Sequence, residues 1–262
     1  MSPATPIITL GEPLIELSSI DSTNIYAISQ VQQQMALSGS CYRADFQTDG
    51  KGQMGKSWGS GKGENLLCSY VLGLSSIKRP KELDSKWTPN QQFGLSVAIS
   101  LGVTDFFGSI AGDETRVKWP NDLYWRDRKA GGILIENILR GSEWTWAIIG
   151  TGININQTQF SSELRNPVSL KQITGKTFDT NLLLKELSAA LTLRVNEWIG
   201  GRFEAMLKEY NNRLFKKGAL VKFKQNQVLF NGTVIGVNAL GQLIVDNGIE
   251  QTYNFGEITW EI

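Results

Sequence analysis

Residues 50–63 hold six glycines, at positions 50, 52, 55, 59, 61 and 63, and so dense a run cannot sustain a helix. Each glycine in a helix interior costs roughly 1 kcal/mol relative to alanine, through the backbone entropy it gives up. The constraint matters because Gly50-Lys51-Gly52-Gln53-Met54-Gly55-Lys56-Ser57 satisfies two phosphate-binding patterns at once. One is GxxxxGK[ST]; the other is GxGxxG over Gly50, Gly52 and Gly55. Both depend on the loop opening a helix whose N-terminal amides and dipole hold phosphate. Here Trp58-Gly59-Ser60-Gly61-Lys62-Gly63 follows, and then the strand-like run Leu66-Leu67-Cys68-Ser69-Tyr70-Val71-Leu72. Upstream, Cys41-Tyr42-Arg43-Ala44-Asp45-Phe46 alternates instead of giving the apolar run of a buried parallel strand. A P-loop kinase or NTPase is therefore disfavoured, although the lysines among the glycines still suit an anionic ligand. A plain solvent loop competes with that reading, and two downstream segments weigh against it.

The first of these, Lys118-Trp119-Pro120-Asn121-Asp122, reads as a rigid turn presenting an amide and a carboxylate. The second, Lys129-Ala130-Gly131-Gly132-Ile133-Leu134-Ile135-Glu136, is a lysine entering a strand whose glycines admit close approach to the backbone. On residue types alone, Lys129 is equally a solvated hairpin lysine, Asp122 a turn residue and Lys118 a strand lysine.

The rest of the composition narrows the field. Lysine and arginine total 26 against 25 acids, so no global basic field exists for nucleic acid. The first 42 residues carry neither lysine nor arginine, against a targeting peptide or a basic DNA-binding arm. No apolar run is read as membrane-spanning, and no membrane partner is expected. Two cysteines, Cys41 and Cys68, make no disulfide framework, so a soluble, cytoplasmic setting is expected. Histidine is absent, which removes histidine triads, zinc–histidine sites and an imidazole base.

Periodicity places helices from 25 to an end at Gly39, over 90–107, 180–198 and 203–214, an extended entry at 15–20, and an antiparallel meander over 116–156. The meander's turns are expected at Pro120-Asn121, Arg126-Asp127-Arg128 and Gly141-Ser142. After Phe215 the texture changes to short strands over 219–224, 227–230, 233–237, 243–246 and 251–254. Asn231-Gly232, Leu240-Gly241 and Asn247-Gly248 separate them, and Asp246-Asn247-Gly248 carries a two-residue hairpin signal. Forty-odd residues of such strands predict a small closed barrel. The expected division is therefore 1–215 and 216–262.

Taken in order, Ser22-Thr23-Asn24, Gln47, the Gly50-to-Trp58 loop, Lys118 to Asp122, Arg128-Lys129 to Glu136, and Gly150-Thr151-Gly152-Ile153-Asn154 resemble the biotin–protein ligases. Order and spacing hold from about Ser18 to Asn156. The resemblance implies an α+β fold: a mixed sheet flanked by helices, related to class II aminoacyl-tRNA synthetases, with a small C-terminal SH3-like β-barrel. It implies ATP and biotin as substrates, Mg²⁺, and a biotin carboxyl carrier protein as partner, in a monomer or homodimer. Biotin's carboxylate would attack the α-phosphorus of ATP, and a carrier lysine would then attack biotinyl-AMP.

By the same resemblance Lys129 would neutralise charge at the carboxylate and α-phosphate, and Asp122 would hold Mg²⁺ or accept the incoming amine's proton. Ser22, Thr23, Asn24 and Gln47 are neutral donors and acceptors suited to biotin's uncharged ureido ring, with Lys51, Gly52, Gln53, Gly131 and Gly132 completing the biotin set. Gly50, Lys51, Gly52, Gln53, Met54, Gly55, Trp58, Asn121, Lys129 and Asn154 would meet ATP, with Trp58 stacking on adenine. Capping is a second role open to Ser22-Thr23-Asn24, and loop anchoring to Trp58.

The family loop usually has arginines where this chain has Lys51 and Gln53. A fixed bidentate charge is thus replaced by a point charge, and another by a neutral amide. The chain also starts too near Ser22 for the DNA-binding domain of repressor members, so no repressor function is expected. A lipoate–protein ligase is the rival within the fold; a P-loop enzyme and a non-catalytic binding module are rivals outside it.

Overall fold

The computed structural model describes residues 8–77 and 86–261. Seven strands form the main sheet: β1 (Leu14–Leu17), β2 (Cys41–Ala44), β3 (Leu66–Gly73), β4 (Thr115–Lys118), β5 (Asp122–Trp125), β6 (Arg128–Arg140) and β7 (Glu143–Ile153). Their order is β1-β2-β3-β7-β6-β5-β4. Only β1 and β2 run parallel; every other neighbouring pair is antiparallel, so the sheet is mixed. The meander closes at the expected turns. β2 departs from expectation, being buried throughout and parallel to β1. Arg43 is tolerated there because its guanidinium meets Glu16, Asp45 and the Thr180 hydroxyl.

The two-residue period of a strand sorts side chains onto two faces. On β3, Leu66, Cys68, Tyr70 and Leu72 enter the main core, while Val71 joins a second cluster with Ala27, Val31, Tyr42 and Ile148. That second face is covered by α1 (Thr23–Gln32). The main face is covered by α2 (Gln92–Ala111) and α4 (Thr180–Ile199), with α5 (Phe203–Asn212) against α2. The stretch Pro89–Ala111 is, against expectation, long and apolar enough to cross a bilayer by length and composition. Its apolarity is used internally: Leu95, Ile99, Leu101 and Phe107 are fully buried. Helix α1 is shorter than expected and leaves Ile25 and Met35 exposed. A short α3 (Leu170–Thr174) was missed, although Ser169 and Gln172 form a capping box at its start.

The second sheet holds β8 (Leu220–Gln225), β9 (Val228–Val237), β10 (Leu243–Asp246), β11 (Glu250–Tyr253) and β12 (Thr259–Trp260), ordered β11-β10-β9-β8-β12. It is SH3-like, but its ladder runs from β11 to β12 without pairing those ends, so the expected closure is not seen. Asn231-Gly232 is no turn; β9 passes through it, and Gly232 makes room for Val245, whose Cγ1 is 2.3 Å from where a Cβ would stand. The reversal falls at Asn226-Gln227, where φ is 47° and 70°, the positive pair of a type I′ turn. The β10–β11 loop takes three residues instead of two, since Asp246 pairs with Glu250. One hydrophobic core joins both sheets, with Phe215 packed between Tyr124 and Trp260.

Candidate active site

A cavity of about 830 Å³ opens on the α1 face of the main sheet, lined by the glycine-rich loop, β5–β7, residues 160–167 and the second sheet's last turn. The loop does not open an α-helix; it holds one 3₁₀ turn, Gln53–Gly55, and leads into β3. The phosphate-loop geometry is therefore absent.

At one end the polar groups are neutral. Gln47 Oε1 accepts from the Thr23 backbone N–H at 2.7 Å and from the Thr23 hydroxyl at 3.0 Å. Ser69 donates to Asn24 Oδ1 at 2.5 Å, while Asn24 Nδ2 donates to Glu136 Oε2 at 2.7 Å. Asn24 is thus fixed in orientation, and Gly150 is what lets it lie flat on β7: a Cβ there would sit 2.3 Å from Asn24 Oδ1. Ser22 begins α1 without using its hydroxyl as a cap, so that hydroxyl is left for the cavity it lines.

At the other end the groups are charged. Lys129 Nζ lies 2.7 Å from Asp122 Oδ1 and 5.8 Å from the centre of the Trp58 ring. Lys129 is therefore a partnered group in the cavity and not a hairpin lysine in water. Asn121 locks the turn by donating its side-chain amide to the Ile133 carbonyl, while the Ile133 N–H returns to Asn121 O at 3.0 Å. Lys118, read above as a strand lysine, also lines the cavity. Its ammonium sits 3.2 Å from the Tyr124 hydroxyl and over the Tyr124 ring at 4.8 Å. Burial pushes the Lys118 amine down to about 8, against the pull of Asp122 and with help from Lys129, Lys56 and Arg165. Burial, with Asp122 beside it, raises Tyr124. Five cations line the cavity (Lys51, Lys56, Lys118, Lys129, Arg165) against Asp122, Asp127 and Glu163, so an anion is favoured.

Trp58 lies flat over the strand glycines: a Cβ on Gly152 would stand 2.5 Å from its Cε2, and one on Gly132 3.3 Å from its Cζ3. The indole N–H is buried without a partner. Ser22, Thr23, Asn24, Gln47, Lys51, Gly52, Gln53, Met54, Trp58, Asn121, Asp122, Lys129, Gly132 and Asn154 all line the cavity. Gly131, Gly50 and Gly55 do not. Gly131 lies on the opposite pleat, its Cβ direction facing Gly152 O, Leu123 and Ile153. Gly50 is buried beneath the loop against Trp58 O and Gln47 Nε2, and Gly55 faces open space. Asn154 spends its amide on Val168 O at 3.1 Å, holding the segment beside Lys129. Arg165, Phe160 and Leu164, and Phe255 and Trp260 from the second sheet, also line the cavity without having been read from sequence. No local motif marks them, because they arrive from distant segments.

No group of three or more histidine, cysteine or acidic side chains gathers as a metal cage among the described residues. Asp122 offers one carboxylate, which with substrate phosphates and water is the sparse ligation that Mg²⁺ accepts.

Residues 16–154 match the biotin/lipoate A/B protein ligase family. The bifunctional ligase/repressor BirA of Escherichia coli (strain K12) is 30% identical over 259 residues, covering 95% of this chain and 74% of that protein. The biotin–[acetyl-CoA-carboxylase] ligase of Mycobacterium tuberculosis is 25% identical over 181 residues, covering 68% of this chain and 62% of its own. The biotin protein ligase from Aquifex aeolicus, solved with biotin and ATP, superposes with a TM-score of 0.76 at 24% identity, covering 95% of this chain and 99% of that one. With the family matched over the segment that builds the cavity, the chain belongs to the biotin/lipoate A/B protein ligases.

Proposed function

We propose that this chain is an ATP-dependent biotin–protein ligase that makes biotinyl-AMP and transfers the biotinyl group to a lysine of a biotin carboxyl carrier protein. The observation that carries the reading is the polarity gradient of one cavity. Neutral donors and acceptors around Thr23, Asn24 and Gln47 suit an uncharged ureido ring, and the Lys129–Asp122–Lys118 cluster suits a carboxylate meeting a triphosphate. Residues 1–215 form the catalytic domain in this reading, and residues 216–262 the SH3-like domain.

Activation joins a carboxylate oxygen to the α-phosphorus and breaks its bond to the β-phosphate oxygen, releasing pyrophosphate. Lys129 would neutralise the two anions as they meet. Asp122 would hold Mg²⁺, which when bound would neutralise phosphate charge. In the second step the carrier amine attacks the acyl carbon, AMP leaves with the bonding pair, and a proton must depart from nitrogen. As the alternative to holding Mg²⁺, Asp122, the carboxylate beside Lys129, would accept that proton. Neither step needs a covalent enzyme intermediate. Two free, buried cysteines suit a reducing compartment, and the cytoplasm is the proposed setting.

ATP–pyrophosphate exchange tests the reading. Exchange is expected only with biotin present; exchange supported by lipoate, or ATP hydrolysis needing neither acid, would sink it.

A further inference from the structure

Two polar side chains, Ser69 and Glu136, stand behind the neutral end of the cavity without lining it. Ser69 is fully buried and Glu136 partly so. Both touch Asn24, which does line it.

The protons available fix the direction of each hydrogen bond. The Asn24 amide nitrogen donates to Glu136 Oε2 at 2.7 Å and to the Leu134 carbonyl at 3.3 Å, which uses both its hydrogens. The reverse amide orientation would set Asn24 Oδ1 against a carboxylate and a carbonyl, acceptor against acceptor. Glu136 therefore turns the Asn24 oxygen toward Ser69, and that oxygen takes the single Ser69 hydroxyl proton at 2.5 Å. The Ser69 and Thr23 hydroxyls lie 2.8 Å apart, and with the Ser69 proton spent, Thr23 is the donor between them. Its proton is shared between Ser69 Oγ and Gln47 Oε1, the latter at 3.0 Å. Donation thus runs one way, from Thr23 through Ser69 and Asn24 to Glu136. Thr23 Oγ1 and Asn24 Oδ1 keep lone pairs and have no proton left to offer a ligand.

We infer that Glu136 is a positioning residue for the acid substrate: by orienting Asn24 it makes this end of the cavity accept hydrogen bonds, and so selects a ligand whose ring carries N–H donors. A ureido ring carries them and a dithiolane ring does not. A site built to hydrogen-bond such a group discriminates against an analogue lacking it, because its buried polar atoms are then left unpaired. The inference rests on the ligase reading for the identity of the acid.

The test uses the full chain and measures biotin affinity by calorimetry, beside kcat and the KM values for biotin and ATP in exchange. A biotin analogue methylated on its ring nitrogens is compared with biotin. Glu136→Leu is expected to raise the biotin Kd and KM roughly 10- to 100-fold, the range for leaving buried polar groups unpaired, with kcat and the ATP KM within about twofold. Preference for biotin over the methylated analogue should narrow about tenfold in this variant, because Asn24 no longer holds an acceptor against the ring N–H. Glu136→Gln recovers most of the loss, since its amide oxygen accepts from Asn24 as the carboxylate does. Ser69→Ala leaves the Glu136 contact in place and should raise the biotin Kd less, roughly 3- to 10-fold.

Glu136→Leu with biotin affinity and analogue preference near wild type overturns the inference. So does a parallel fall in kcat and ATP affinity, which marks a general structural role, and so does a glutamine variant as poor as the leucine one, which makes charge the cause. If Glu136→Leu does not fold, Ser69→Ala decides, and an unchanged biotin Kd there overturns the inference. Wild-type protein that binds biotin yet shows no biotin-dependent exchange refutes the ligase reading, while the calorimetric ratio still decides Glu136. Wild-type protein that binds no biotin refutes both.

Discussion

Lys129 Nζ and Asp122 Oδ1 lie 2.7 Å apart across the antiparallel strands β6 and β5. Their meeting depends on a register shift between Leu123 and Tyr124, where Tyr124 pairs with Lys129 and Leu123 with Gly131, leaving Ala130 extra. Positions 129 and 132 differ by three, so a regular strand would point them to opposite faces. The bulge turns Lys129 to the face where Gly132 leaves space, a common use of bulges beside sites.

Lys129→Ala should lower biotin-dependent exchange by roughly 10²–10³-fold, the scale for removing a group that stabilises developing charge. Its melting temperature should stay near wild type, because the pair is partly exposed and contributes little to stability. Lys129→Arg should not rescue fully, since a planar fork replaces a compact ammonium beside Trp58. Near-normal exchange by the alanine variant would make this lysine a bystander.

Gly150→Ala puts a Cβ 2.3 Å from Asn24 Oδ1 and must dislodge Asn24 from Ser69 and Glu136. The expected result is a biotin KM raised about tenfold or more, from one or two lost buried hydrogen bonds, with a smaller effect on ATP. An unchanged biotin KM, with the protein folded, would place the acid's ring elsewhere.

Lys118→Met tests the buried ammonium. In the folded protein its amine is held at about 8, against 10.5 when unfolded. Between those values the unfolded chain binds the extra proton, so this group makes stability rise with pH, and its full penalty applies below about 8. The methionine variant should therefore be more stable than wild type at pH 7, with the difference vanishing above 10.5. Nucleotide affinity should fall in the same variant. Urea midpoints that differ equally at pH 7 and pH 11 would show that packing, and not charge, is responsible.

Removal of the second sheet after Phe215 should abolish catalysis along with stability. Trp119 Nε1 donates to Gly241 O at 2.9 Å, Trp119 meets Phe255 edge-on, and Phe215 packs on Trp260. Losing these contacts exposes the tryptophan that adjoins Asn121 and Asp122. Exchange should drop more than about 100-fold. A soluble chain ending there that works at full rate would reduce the second sheet to an accessory.

What the sequence determined by itself was local. Glycine density ruled out an α-helix after Gly50, the helical period placed α4 over 180–198, and the meander's turns were legible at Pro120, Asp127 and Gly141. Each depends on backbone entropy or a hydrogen bond within a few residues, which sequence order preserves. Tertiary structure decided the rest. Arg43 sits in a buried parallel strand because the Glu16 carboxylate from β1 and the Thr180 hydroxyl from α4 converge on it, and the apolar length of α2 is spent inside the core. Gly131 and Gly132 are adjacent in sequence and alike in type, yet only Gly132 lines the cavity, since neighbouring strand residues point to opposite faces and the sheet's packing decides which face is open. Lys118 and Arg165 lie 47 residues apart in sequence and enter one cavity because strand pairing brings β4 and the β7–α3 connection to the same end. Register and long-range pairing follow from the sum of many weak contacts, and no short window of sequence contains that sum.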